Sequence, residues 1–222
     1  MSKILKNPTL SNPAIRNLSI LNPKNYEEFL ELLYNDIDFI IKKFAKSKDK
    51  YAQGMRDNSR NGEDLINTII CDMLEMCGWM ARHDTSVNGH ADIVVELSGE
   101  DYQWIGEGKI KGSNSKIYDG FKQLMYRYST GLHNENAGGV LIYINQSSKS
   151  QLDILNDWQK FLSNKNETVS DDNDEMPYVN VIDIVYDSKN PLVFYSNHKH
   201  PSSGLDYTIR HMVMDFRYQP KD

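Results

Sequence analysis

The run Gly139–Ile144, GVLIYI, is apolar at every position. Side chains of a strand alternate between the two faces of its sheet, so such a run needs cover on both faces. A helical pattern precedes it, with Ile117, Phe121, Leu124, Met125 and Tyr128 recurring at three and four up to Gly131. A helix feeding a doubly buried strand is what a crossover connection produces, and the expected class is α/β.

The rest of the chain fits around this pair. Three Asn-Pro breaks (Asn7-Pro8, Asn12-Pro13, Asn22-Pro23) make residues 1–24 an irregular arm. From Tyr26, Phe29, Leu30, Leu33, Ile37, Ile40, Ile41 and Phe44 predict an amphipathic helix, started by Asn25 with Glu28 and finished by Lys42, Lys43 and Lys46. The polar stretch 47–59 reads as a loop. A second helix is expected from Asn61, capping the amides of Glu63 and Asp64, with Leu65, Ile66, Ile69, Ile70, Met73 and Leu74 inward and Gly78 as its stop. Strands follow at 79–83, 91–97 and 102–111, the last two joined by the turn Ser98-Gly99-Glu100-Asp101. Downstream, Leu152, Leu155, Trp158 and Phe161 predict a helix, 163–177 a loop, and 178–186, 192–195 and 207–218 further strands. The expected organisation is an arm with a helix (1–59), a core (60–146), and a helix with strands packed on it (147–222).

Composition narrows the function classes. With 39% hydrophobic and 25% charged residues in 222, the chain can bury a core without staples. Cys71 and Cys77 sit six apart on one expected helix, where they do not face each other, which suits a reducing cytoplasm. The N-terminus lacks an apolar signal region, and no run approaches the roughly 18 apolar residues of a membrane span. A net charge of -6 argues against a protein that coats nucleic acid with a broad basic face. Part of that charge is the tract Asp171-Asp172-Asn173-Asp174-Glu175, while Lys109, Lys111, Lys116, Lys122 and Arg127 form a local basic cluster.

The chemistry concentrates in WIGEGKI, Trp104–Ile110. Alternation puts Gln103, Ile105, Glu107, Lys109 and Lys111 on one face and Trp104, Gly106, Gly108 and Ile110 on the other. Glu107 and Lys109 then stand roughly 6 to 7 Å apart along the strand. A hairpin register that sets Asp92 beside Glu107 would bring two carboxylates and an ammonium to one spot. Two carboxylates, with waters and a phosphate oxygen, suit Mg²⁺, and a lysine beside them can orient water and neutralise developing charge. The triplet alone is cheap: Asp187-Ser188-Lys189 repeats it after a strand end, without a second acid in the preceding strand.

Asp92, then Glu107-Gly108-Lys109, in the order helix, strand, strand, strand, helix, strand, resembles the PD-(D/E)xK nuclease superfamily over residues 61–145. The resemblance implies a restriction-endonuclease-like core (αβββαβ) with a mixed central sheet flanked by helices, here carrying an N-terminal helix and C-terminal β additions. It implies metal ligands at Asp92 and Glu107, with Glu63 as a third on the first core helix, and Mg²⁺, replaceable by Mn²⁺, as the metal. Lys109 would be the catalytic lysine, and Gln123, with Tyr126 or Tyr128, would serve from the second helix. Ala91 stands where the motif has proline, and the Gln-to-Tyr spacings of three and five differ from that branch's four. The implied activity is Mg²⁺-dependent hydrolysis of phosphodiesters in DNA, with Lys111, Lys116, Lys122 and Arg127 as phosphate contacts.

Blander readings stand beside these. Asp92, Glu107 and Lys109 could form a half-exposed ion pair on an edge strand, Glu63 could be a helix-start acid favoured by the macrodipole, and Gln123 a surface residue. A non-catalytic subunit of a nucleic-acid-processing or defence complex is the alternative function, and the strands from 178 to 218 could form a dimer or partner surface. His198, His200 and His211 invite a zinc reading, but His-Lys-His-Pro (198–201) reads as a loop with no nearby thiol pair and no fixed ligand geometry. His83 and His90 flank core strands and could touch substrate.

Overall fold

In the computed structural model, residues 23–56, 60–86, 89–165 and 181–218 are described. The Asn-Pro breaks up to Asn22, the acidic tract 171–175 and the first residues of the strand expected from Tyr178 lie outside them. No helix among the described residues is long and apolar enough to cross a membrane.

Helices α1 (Tyr26–Lys46), α2 (Lys48–Arg56) and α3 (Arg60–Cys77) lead into strands β1 (Met80–Ser86), β2 (His90–Glu96) and β3 (Gln103–Ile110). Then come α4 (Asn114–Gln123), a π-helical turn (Leu124–Tyr128), β4 (Ala137–Ile144), α5 (Gln151–Asn164), β5 (Val181–Tyr186), β6 (Val193–Lys199) and β7 (Asp206–Asp215). The strands form one mixed seven-stranded sheet in the order β1-β2-β3-β4-β7-β6-β5. β3, β4 and β7 run parallel, and the antiparallel β1-β2 and β6-β5 ribbons flank them. The C-terminal strands therefore extend the core sheet itself.

All eight residues of β4 are buried, as its apolar run requires. On one face α1 and α3 cover Trp104, Leu141 and Met212; on the other α4 and α5 cover Ile105, Val140 and Val213. At roughly 25 cal/mol per Å² of apolar surface, this two-sided burial is the main stabilising contribution. The Asn25 side chain caps α1 by accepting from the Glu28 amide at 2.9 Å. Asp36, buried on that helix, takes the indole N–H of Trp79 at 3.0 Å.

Several expectations change. The loop over 47–59 is largely helix α2, because Ala52 and Met55, three apart, bury one face of an otherwise polar segment. Asn61 lies inside α3, whose first residue here is Arg60. The α-helix expected up to Gly131 ends at Gln123 and passes into the π turn, which Ser129 closes by donating its amide to Leu124 O at 3.1 Å. On α5 the exposed Leu152 is replaced in the core by Ile154 and Leu162.

Candidate active site

β3 lies between β2 and β4, so Glu107 and Lys109 are on an interior strand, which excludes the exposed edge-strand pair. The paired register ends with Ile93 opposite Gly106, and Asp92 and Glu107 are the residues just beyond that pair. The Gly108 amide donates to Oδ2 of Asp92 at 2.9 Å, fixing that carboxylate over the strand. Nζ of Lys109 lies 2.6 Å from Oε1 of Glu107 and 4.0 Å from Oδ2 of Asp92. The side chain of Glu107 is 1% exposed, and its Oε2 is buried with no hydrogen-bond partner among the described residues.

Glycines let the flanking helices come this close. A Cβ on Gly108 would sit 2.4 Å from Oδ1 of Asn67 on α3 and 2.6 Å from the Tyr143 hydroxyl, which itself donates to Asn67. On the other face, a Cβ on Gly120 of α4 would sit 2.7 Å from Cε of Lys109 and 3.1 Å from Cγ of Glu107. Docked this way, α3 brings Glu63 to the end of β3, where its Oε1 accepts from the Ile110 amide at 2.7 Å and from Nζ of Lys116 at 3.2 Å.

Electrostatics follow from that burial. Desolvation pushes the Glu107 carboxyl up to about 8, helped by the charge of Asp92 and opposed by Lys109. Asp92 is likewise raised by burial, against the pull of Lys109 and the Gly108 amide. Burial disfavours the Lys109 ammonium, but Glu107 and Asp92 more than offset it and hold its pKa above the ordinary lysine value. Once Glu107 ionises, two carboxylates face one ammonium, and a further cation would offset the excess negative charge.

Two of the residues named from the sequence, His83 and Tyr128, join the group. The Nδ1–H of His83 donates to the main-chain carbonyl of Asp92 at 2.7 Å, and its Nε2 lies 3.9 Å from Asp64. Tyr128 sits on the π turn where it packs against β2 and β3, and its hydroxyl pKa is raised by burial and then by the charges of Glu107 and Asp92. Its ring packs under Gly89, where φ is +141° and a Cβ would come within 2.9 Å. The π turn sets its direction, and no α-helical periodicity announces a π turn.

The remaining candidates are scattered. Gln123 is half-buried at the end of α4, with no side-chain hydrogen bond among the described residues. Lys122 is buried, its ammonium 5.8 Å from the centre of the Tyr118 ring. Lys111 and Lys116 lie just past the end of β3, and Arg127 is exposed on the π turn. His90 pairs with Asp84 at 2.8 Å on the surface. Asp187 caps a turn by accepting from the amides of Lys189 and Asn190 at 2.7 and 2.9 Å.

The three C-terminal histidines are buried and bonded, and His198, expected in a loop, lies in a strand. His198 is in β6 and His211 in β7, joined through the Ser196 hydroxyl at 2.6 and 2.7 Å. Trp158 donates its indole N–H to Nδ1 of His211 at 3.0 Å. His200 holds the π turn through Ser129 at 2.9 Å.

No family model, curated protein or solved structure matches the chain.

Among the described residues, no group of three or more His, Cys, Asp or Glu side chains could hold a metal ion. Asp92 and Glu107 offer hard oxygens, and the partnerless Oε2 of Glu107 is an unused donor inside the protein. That set fits Mg²⁺ or Mn²⁺, which keep several waters and take only one or two carboxylates, better than a metal needing a full protein cage.

Proposed function

We propose that this protein is a divalent-metal-dependent nuclease of PD-(D/E)xK type, with a restriction-endonuclease-like core, hydrolysing phosphodiester bonds in DNA. The observation that carries the reading is the convergence of Asp92, Glu107 and Lys109 with one buried, unused oxygen on Glu107. Asp92 and Glu107 would hold the metal, and Glu63, at the mouth of the site, would reach it through a water. A bound Mg²⁺ supplies a water of lowered pKa and positive charge beside the phosphate. Lys109 keeps its proton, fixes Oε1 of Glu107 and offers its remaining N–H bonds to a phosphate oxygen as negative charge builds. The burial of Glu107 strengthens each of these contacts, since little water screens them. Lys111, Lys116 and the exposed Arg127 supply phosphate contacts outside the reacting group. The choice of DNA rests on the sequence resemblance.

A non-catalytic binding or assembly subunit, in a nucleic-acid-processing or defence complex, is the second reading. It is favoured by the Lys109–Glu107 contact, which already occupies one carboxylate oxygen, and by the net charge of -6. The two separate in one experiment. Plasmid and single-stranded DNA are incubated with EDTA, Mg²⁺ or Mn²⁺, and Mn²⁺ binding is titrated in the wild type and Asp92→Asn. Metal-dependent cleavage, with Mn²⁺ binding lost in Asp92→Asn, supports the nuclease; no binding and no cleavage supports the subunit.

A further inference from the structure

The π turn faces two ways. Buried Tyr128 packs against Gly89 just before β2, on the side of the turn that meets β2 and β3, while Tyr126 and Arg127 line a separate pocket of about 420 Å³ with Thr130, Leu132, Ser202 and Ser203. We infer that this pocket holds one unpaired nucleotide of a single-stranded nucleic acid, adjacent to the phosphate bound at Asp92 and Glu107. The position of that phosphate rests on the nuclease reading; the pocket itself does not.

The pocket's chemistry is that of a nucleotide. Arg127 is exposed and makes no ion pair among the described residues, which leaves its guanidinium for a phosphate. Leu132 is 54% exposed and, with the Tyr126 ring, gives an apolar and aromatic surface for a base. The walls are held in place beforehand. Ser129 donates its hydroxyl to Leu124 O at 2.7 Å, which makes Nε2–H of His200 the donor to Ser129, and Nδ1 of His200 accepts the amides of Ser202 and Ser203 at 3.2 and 3.3 Å. Gly131, at φ +62°, permits this, since a Cβ there would fall 2.2 Å from Cγ of His200. A preset pocket saves the ordering cost of binding.

The depth of the reacting group also favours a single strand. The side chains of Asp92 and Lys109 are 19% and 16% exposed and Glu107 1%, with Gly120 of α4 packed against Lys109 and Glu107. A strand whose bases are unpaired can bend a phosphate inward and turn a base into the pocket. A duplex keeps its bases stacked, so the same step costs unpairing.

The test uses the full chain with Ca²⁺ in place of Mg²⁺ and reads fluorescence anisotropy of a labelled thymidine octamer. The octamer should bind at least tenfold more tightly than a blunt duplex of equal length and than free thymidine monophosphate. Arg127→Ala, at an exposed position, should weaken it about tenfold, and Tyr126→Leu, which keeps an apolar side chain, should do so severalfold. Unchanged affinity in Arg127→Ala, equal binding of the duplex, or equal binding of the mononucleotide would overturn the inference. An octamer bound through Arg127 yet left uncut in Mg²⁺ and Mn²⁺ would support the pocket and defeat the nuclease reading.

Discussion

The ammonium of Lys109 lies 2.6 Å from Oε1 of Glu107, while Oε2 of the same carboxylate is buried without a partner. Half of this group is neutralised inside the protein and half is held ready. If the site is catalytic, Lys109→Ala should lower metal-dependent cleavage by at least about a hundredfold, the usual scale for losing a positioned proton-bearing group. The far-UV circular dichroism should not change. Retained cleavage in this variant would remove Lys109 from the mechanism.

The burial of Glu107 has a thermodynamic signature without metal. Its folded pKa, pushed up to about 8, lies above the ordinary value of 4.5, so the folded state holds a proton that the unfolded state releases as pH rises between these values. Wild-type stability in EDTA loses ground over that window, and Glu107→Gln, which cannot ionise, does not. The variant's advantage in urea melts should grow by about 4 kcal/mol from pH 4.5 to pH 8. A constant difference across the window would place Glu107 in a hydrated setting.

Gly120→Ala should separate activity from stability. Alanine gains up to about 1 kcal/mol of helix propensity over glycine, while crowding a packed contact costs about 1 to 3 kcal/mol. The net change in melting is a loss of at most about 2 kcal/mol, because the added methyl meets Cε and Cγ of Lys109 at 2.7 and 2.8 Å and the whole lysine side chain must shift. Cleavage should fall more than tenfold as the ammonium shifts. A variant as active as wild type would show that the ammonium has room to move.

Trp158→Phe should cost about 1 to 3 kcal/mol, beyond the lost ring area, because it leaves Nδ1 of His211 buried and unpaired. His211 is held well below the usual histidine pKa by burial and by His198, so the neutral ring is the folded form. The indole N–H occupies Nδ1, so the ring's own proton is on Nε2 and points to Ser196. The loss should be read from urea midpoints at pH 8, and an unchanged midpoint would mean that water replaces the indole.

Local patterns settled much of this molecule. The all-apolar run in β4 demanded two covering layers, the spacing of Phe29, Leu33, Ile37 and Ile40 set the inner face of α1, and alternation put Glu107 and Lys109 on one face of β3. Each depends on the period of its own element, which neighbouring residues determine. The chain's partners in space decided the rest. Ala52 and Met55 make a helix of a polar stretch because a core is there to receive them, and β7 lies beside β4 through pairings some 70 residues apart. The π turn that carries Tyr128 is closed from 71 residues away by His200. Glu107 is buried because α4 packs closely on β3, with Gly120 set against its side chain. Sequence placed the acid and the lysine side by side; tertiary packing removed the solvent and so set their charge states.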